Sequence, residues 1–179
     1  LKNRNIINQE IFNKKINWFF DIKSISHHKI KNKDIKKFAI QLTKNYQKLK
    51  SVNNLRNKSV KIKITTLEKY LKKNSSLKLN KLLNYIQKCD IDEYFKYFLI
   101  QGSIASRDYI IGWSDIDTWT VLKDETLEDP KKLIKLREIL YLIYKKINLF
   151  SKLQHHGIVV YTELDIKNYL PGYLPKEAL

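Results

Sequence analysis

Between residues 33 and 50 the apolar side chains are Ile35, Phe38, Ala39, Leu42, Tyr46 and Leu49. That three-and-four spacing places them on one stripe of an amphipathic α-helix. The same spacing recurs more weakly over residues 8–22 and predicts a second helix there. Ser76 stands ahead of a third stripe, Leu79, Leu82, Leu83 and Ile86, in the place an N-cap takes. Between these segments "SVKIKI", residues 59–64, alternates as a short strand does, and Thr66 is placed to cap a helix over residues 67–73. The first half of the chain therefore reads as mainly helical.

The pattern changes at Tyr94. "YFKYFLIQ", residues 94–101, is aromatic and branched, contains no breaker and stops at Gly102, which predicts a buried strand. "DIDTWTVL", residues 115–122, alternates and predicts a second strand. Asp129 followed by Pro130 marks a helix start, with Leu133, Leu136, Leu140, Ile143, Tyr144 and Ile147 as its buried stripe. "GIVVYTE", residues 157–163, predicts a third strand. The order strand, turn, strand, helix, strand implies an α+β fold, a small mixed sheet with flanking helices, preceded by the helical region. Two units are expected, residues 1–93 and residues 94–179. "LPGYLPKEAL" at the end reads as a linker, and no methionine occurs, even at position 1, so the second unit is expected to continue beyond Leu179.

Charge adds an asymmetry to this division. The 179 residues carry a formal net charge of +17. Residues 1–100 hold 24 Lys and Arg against 7 Asp and Glu, whereas residues 101–179 hold 11 against 11. A basic half joined to a neutral half suggests a polyanion such as RNA as partner of the first. Lysine supplies 31 of the 35 basic residues, which suits sequence-tolerant phosphate contact better than base readout. A single cysteine, Cys89, leaves no internal disulfide and no thiolate zinc cluster. Neither a signal-peptide core nor a run of 18 apolar residues is present, so no membrane partner and a cytoplasmic location are expected.

Acids and glycine meet in "QGSIASRDYIIGWSDIDTW", residues 101–119. Residues two apart on a strand share a face, which sets Asp115 and Asp117 side by side with Ile116 opposite. Neighbouring carboxylates both stay ionised when a cation lies between them, and magnesium takes oxygen ligands of this kind together with water and substrate phosphates. Gly102 and Ser103 end the preceding strand where backbone can approach a ligand closely and turn amides can hold phosphate oxygens. Neither feature is specific alone. Together they form the minimum equipment for phosphoryl or nucleotidyl transfer.

A hydrophobic strand into Gly-Ser, eleven intervening residues, then Asp, an apolar residue and Asp resembles the signature of the DNA polymerase beta-like nucleotidyltransferase superfamily. "GSIASRDYIIGWSDID" is similar to its smaller bacterial and archaeal members, with Ala two residues after the Gly-Ser and Ser114 directly before the first Asp. The resemblance covers roughly residues 94–165. It implies a transferase that moves a nucleoside monophosphate from an NTP, such as ATP, to an acceptor hydroxyl with loss of pyrophosphate. Gly102, Ser103, Arg107 and Ser114 would then lie on the nucleotide side, and Asp115 and Asp117 would bind two magnesium ions. The acceptor is an RNA end, a small molecule or a protein side chain, and the basic first half favours RNA.

The superfamily carries a third acid near the start of the strand after the long helix, and this chain has "LQHHGIVVY" there. Three readings follow: His155 or His156 acts as ligand or base, with His156 taken as the catalytic candidate; Glu163 reaches the metals from the far end of the strand; or catalysis has been lost and the domain is a nucleotide sensor or RNA-binding protein. Strand parity puts Glu163 and Asp165 on the face of His155. Tyr109, Trp113 and Trp119 surround the proposed site, where packing in the core or a lid is their leading role; of the three, Trp119 shares the parity of the two aspartates and has the better claim to stack on a base.

Overall fold

In the computed structural model the described residues are 2–21, 32–52, 76–151, 153–155 and 157–167. Among them the chain is α+β. It begins with helices α1 (Lys2–Phe20), α2 (Asn32–Val52) and α3 (Leu77–Gln87). Strand β1 (Phe95–Gln101), helix α4 (Gly102–Ser106), strand β2 (Asp117–Leu122) and helices α5 (Asp124–Glu128) and α6 (Pro130–Phe150) follow. Strand β3 (Val159–Tyr161) and helix α7 (Glu163–Lys167) complete the order. The predicted strand over residues 59–64, the helix over 67–73, the C-terminal linker and His156 lie outside the described residues.

Local chemistry sets several of these boundaries. Ser76 caps α3 by accepting from the Leu79 amide at 3.4 Å, and Asp129 caps α6 by accepting from the Lys131 amide at 2.8 Å ahead of Pro130 at the first turn. The sheet order is β1-β2-β3, antiparallel between β1 and β2 and parallel between β2 and β3. A parallel neighbour requires a crossover, and α5 and α6 provide it. The sheet is therefore mixed, as the order of elements implies.

Alternation gives the sheet two faces. Phe95, Phe98, Ile100, Leu122 and Val160 turn to the main core, where they meet Leu133, Leu136, Leu140, Ile143 and Ile147 of α6. Trp119, Val121 and Tyr161 form a smaller cluster with Tyr97, Leu99, Val159 and Ile166 on the opposite face. The main core also takes in Phe12, Ile16, Phe19, Leu42, Tyr46, Leu79 and Leu83 of the first three helices. One core thus runs across residue 93, and the expected boundary there does not separate two cores among the described residues.

Polar clamps seat the N-terminal helices on the sheet. The Asn17 amide donates to the Val160 carbonyl at 3.0 Å and accepts from the Val160 amide at 2.8 Å, closing the outer edge of β3. Arg137 of α6 donates to the Phe19 carbonyl at 2.9 Å, and Tyr46 of α2 donates to the Asp124 carboxylate. Several expected strand ends differ, and two of them have a clear local cause. β3 stops at Tyr161, because Thr162 turns the chain into α7 by accepting from the Asp165 amide at 3.2 Å. β2 starts at Asp117 instead of Asp115, because β1 ends opposite it at Gln101.

Asp165, read from strand parity as sharing the face of His155, is instead an internal anchor. It is 1% exposed and accepts from Gln9 at 3.0 Å, Asn13 at 2.9 Å and the amide and hydroxyl of Thr162 at 2.7 Å each. Burial outweighs these four donors and raises its pKa. A carboxyl whose folded pKa exceeds its unfolded value stabilises the fold most when protonated, and that contribution falls as pH rises through the interval between the two. Asp165→Asn, which does not titrate, is therefore expected to gain stability relative to the wild type between pH 4 and pH 7. Urea unfolding at the two pH values measures this, and a relative loss at pH 7 would mean that the donors, not burial, set the ionisation.

Candidate active site

The site forms where β1 ends beside the start of β2. Gln101 pairs with Asp117 across the antiparallel ladder, and the next residue, Gly102, turns with φ +63° into α4. A Cβ at Gly102 would lie 2.3 Å from Asp117 Oδ2 and 3.3 Å from its Cγ. The Asp117 carboxylate therefore rests directly on the glycine backbone, an approach that any side chain would close. Ser103 follows in the first turn of α4, whose N–H groups have no carbonyl partners within the helix. The Ser106 hydroxyl donates back to the Gly102 carbonyl at 3.1 Å and holds the turn in shape.

Arg107 ends α4 in the left-handed region at φ 70° and is exposed. A non-glycine residue there costs about 1–2 kcal/mol, so glycine would suit the backbone better. Arg107→Gly is accordingly expected to leave thermal stability unchanged or raise it by up to about 1 kcal/mol, while weakening nucleoside triphosphate binding about tenfold, the loss of one charge-assisted contact. Unchanged nucleotide affinity would make Arg107 a helix-end residue only.

Residues 107–116 loop outward and return. The loop is closed by the Ser114 amide donating to the Ile110 carbonyl at 2.9 Å, while the Ser114 hydroxyl oxygen accepts from the Ile110 amide at 3.1 Å. Ser114 thus shapes the loop. Trp113 at the tip is 75% exposed. Tyr109 stacks on Phe150 at 5.9 Å. Trp119 is 1% exposed and packed 5.4 Å from Tyr161, a core residue with no face open for stacking. Of the three aromatics, Trp113 has the open ring.

The chain comes back through Asp115, Ile116 and Asp117, with Ile116 buried and the two acids half-buried on either side. His155 Nδ1 lies 3.2 Å from Asp115 Oδ2. The parallel register explains this: Trp119 pairs with Val159, and running that offset back brings residue 155 beside residue 115. Sequence reasoning missed Gln154, which is 7% exposed. It accepts from the Ile116 amide at 2.9 Å and donates to the Ile116 carbonyl at 3.2 Å. A lone glutamine before two histidines carries no periodic signal that it is buried, and only the parallel pairing reveals its place.

Glu163, expected as a possible third ligand, is not brought to the pair. It begins α7, accepts from Lys96 at 3.0 Å and lies 3.8 Å from Lys167. Tyr161 pairs with Val121, four residues beyond Asp117, which is about 13 Å along the strand. The reason is the parallel register, which sets the end of β3 level with the end of β2 and leaves Glu163 at the opposite end of the sheet.

The structure therefore gathers Gly102, Ser103, Asp115, Asp117 and His155 at one sheet end. Among the described residues no three His, Cys, Asp or Glu side chains group to hold a metal by themselves. Two carboxylates fit a hard divalent cation that keeps water or phosphate in its other positions. Comparison of the chain with protein-family models, curated proteins and solved structures finds no match.

Proposed function

We propose that the chain is a magnesium-dependent nucleotidyltransferase that moves a nucleoside monophosphate from a nucleoside triphosphate to an acceptor hydroxyl, with RNA as the favoured acceptor and the cytoplasm as its location. The observation that carries this reading is the seat of Asp117 on Gly102, with Asp115 beside it, at the end of a strand that turns directly into Ser103. Backbone amides after Gly102 hold the triphosphate, and Asp115 and Asp117 hold the cations. Two magnesium ions bound there supply charge stabilisation at the α-phosphate and at the leaving pyrophosphate. His155, against Asp115, accepts the proton of the attacking hydroxyl. The new bond joins the acceptor oxygen to the α-phosphorus, and the bond to pyrophosphate breaks.

A second reading has its own support. No third carboxylate stands at the pair among the described residues, which favours a nucleotide sensor or RNA-binding domain of the same architecture. Incubation of α-labelled nucleoside triphosphates with RNA and magnesium separates the two. Transfer is expected to label the RNA with one pyrophosphate released per nucleotide, and His155→Ala is expected to slow it roughly 100-fold to 10,000-fold. Magnesium-dependent nucleotide binding without label in RNA, protein or small acceptors would replace the enzyme by the sensor.

A further inference from the structure

Ile116 sits at a gap in the sheet. The ladder between β2 and β3 is described only from the Trp119–Val159 pair onward, and β1 leaves β2 at the Gln101–Asp117 pair. The peptide groups of Ile116, between the two acids, therefore lie beyond both neighbouring strands, yet the residue is 1% exposed. Backbone groups buried in this way need partners. Gln154 provides one for each, accepting from the amide at 2.9 Å and donating to the carbonyl at 3.2 Å. Its side-chain amide does what the next peptide of β3 would do had the strand begun earlier.

We infer that Gln154 is a positioning residue that sets the spacing and direction of the Asp115 and Asp117 carboxylates for a divalent cation. The inference rests on the metal-site reading proposed above. Asp115 and Asp117 are the two immediate neighbours of Ile116, so fixing both peptide groups of Ile116 fixes where the two side chains leave the backbone. The Ser151 hydroxyl extends the same support by donating to the Ser114 carbonyl at 3.2 Å. Ser151 and Gln154 thus hold the backbone on which both acids are mounted. Preorganisation of this kind lowers the reorganisation needed on binding and shows as affinity.

The test is a manganese titration of the whole chain followed by electron paramagnetic resonance of the free ion, paired with thermal unfolding of each variant. Gln154→Met keeps the length and removes both hydrogen bonds. It is expected to raise the half-saturating manganese concentration at least tenfold in protein that remains folded. Gln154→Asn, a shorter amide, is expected to fall between Gln154→Met and the wild type, and it replaces Gln154→Met if that variant does not fold. A purely structural role would lower the unfolding temperature and leave the manganese half-saturation of the folded fraction unchanged, and that result overturns the inference alone. Manganese binding that persists in Asp115→Asn/Asp117→Asn overturns the metal-site reading and this inference with it.

Discussion

Gly102→Ala is expected to weaken magnesium-dependent nucleotide binding at least about a hundredfold, a loss of about 2.7 kcal/mol. The substitution carries two penalties. The residue holds φ at +63°, which costs an alanine about 1–2 kcal/mol. The added Cβ would also stand 2.3 Å from Asp117 Oδ2, so the carboxylate has to move. Only the second penalty reaches the site, and a second glycine separates them. Gly112 holds φ +85° with nothing within 4 Å of its Cβ direction. Gly112→Ala is expected to lower stability by a similar strain and leave nucleotide affinity within a few fold. Equal effects of the two substitutions on affinity would mean that the Gly102 contact with Asp117 has no part in binding.

Asp115→Asn/Asp117→Asn is expected to reduce magnesium-dependent nucleotide binding by roughly a thousandfold or more, since charge stabilisation by a bound cation is worth several kcal/mol. Its effect on folding should be small. The Asp115–His155 pair lies at 25% and 74% side-chain exposure, where a polar contact contributes about 0–1 kcal/mol. Calorimetric titration of nucleotide with magnesium and urea unfolding measure the two quantities separately. A large loss of stability with binding preserved in the folded fraction would assign the acids to the fold instead of to a cation.

Much of this arrangement is legible in the chain itself because it follows from periodicity and capping. The stripes of α2, α3 and α6 repeat every three or four residues, Ser76 and Asp129 cap where expected, and β1 ends just before Gly102, where glycine suits both the backbone angle and the approach of Asp117. The elements that periodicity does not encode were hidden. α4, α5 and α7 are each five residues long, too short for a stripe to emerge, and α7 takes Glu163 and Asp165 out of the third strand. Strand parity consequently misses the buried role of Asp165, and it cannot tell an open face from a second buried cluster, which is where Trp119 packs.

The candidate site divides in the same way. Gly102, Ser103, Asp115 and Asp117 form a local pattern within sixteen residues, readable as such. Gln154 and the contact of His155 with Asp115 depend on the parallel pairing of strands separated by a 21-residue helix, and no local signal carries that register. The docking of Gln9, Asn13 and Asn17 onto Asp165 and Val160 spans more than 140 positions and was likewise invisible. It makes the basic N-terminal helices part of the same core as the sheet.

The central claim is that Asp115 and Asp117 hold the cation through which a nucleoside triphosphate binds. Calorimetric titration of the wild-type chain with a nucleoside triphosphate, first with magnesium and then after chelation by EDTA, tests it most directly. Saturable binding in magnesium that disappears on chelation is the expected result. Binding of equal strength with and without the metal, or none under either condition, would contradict it.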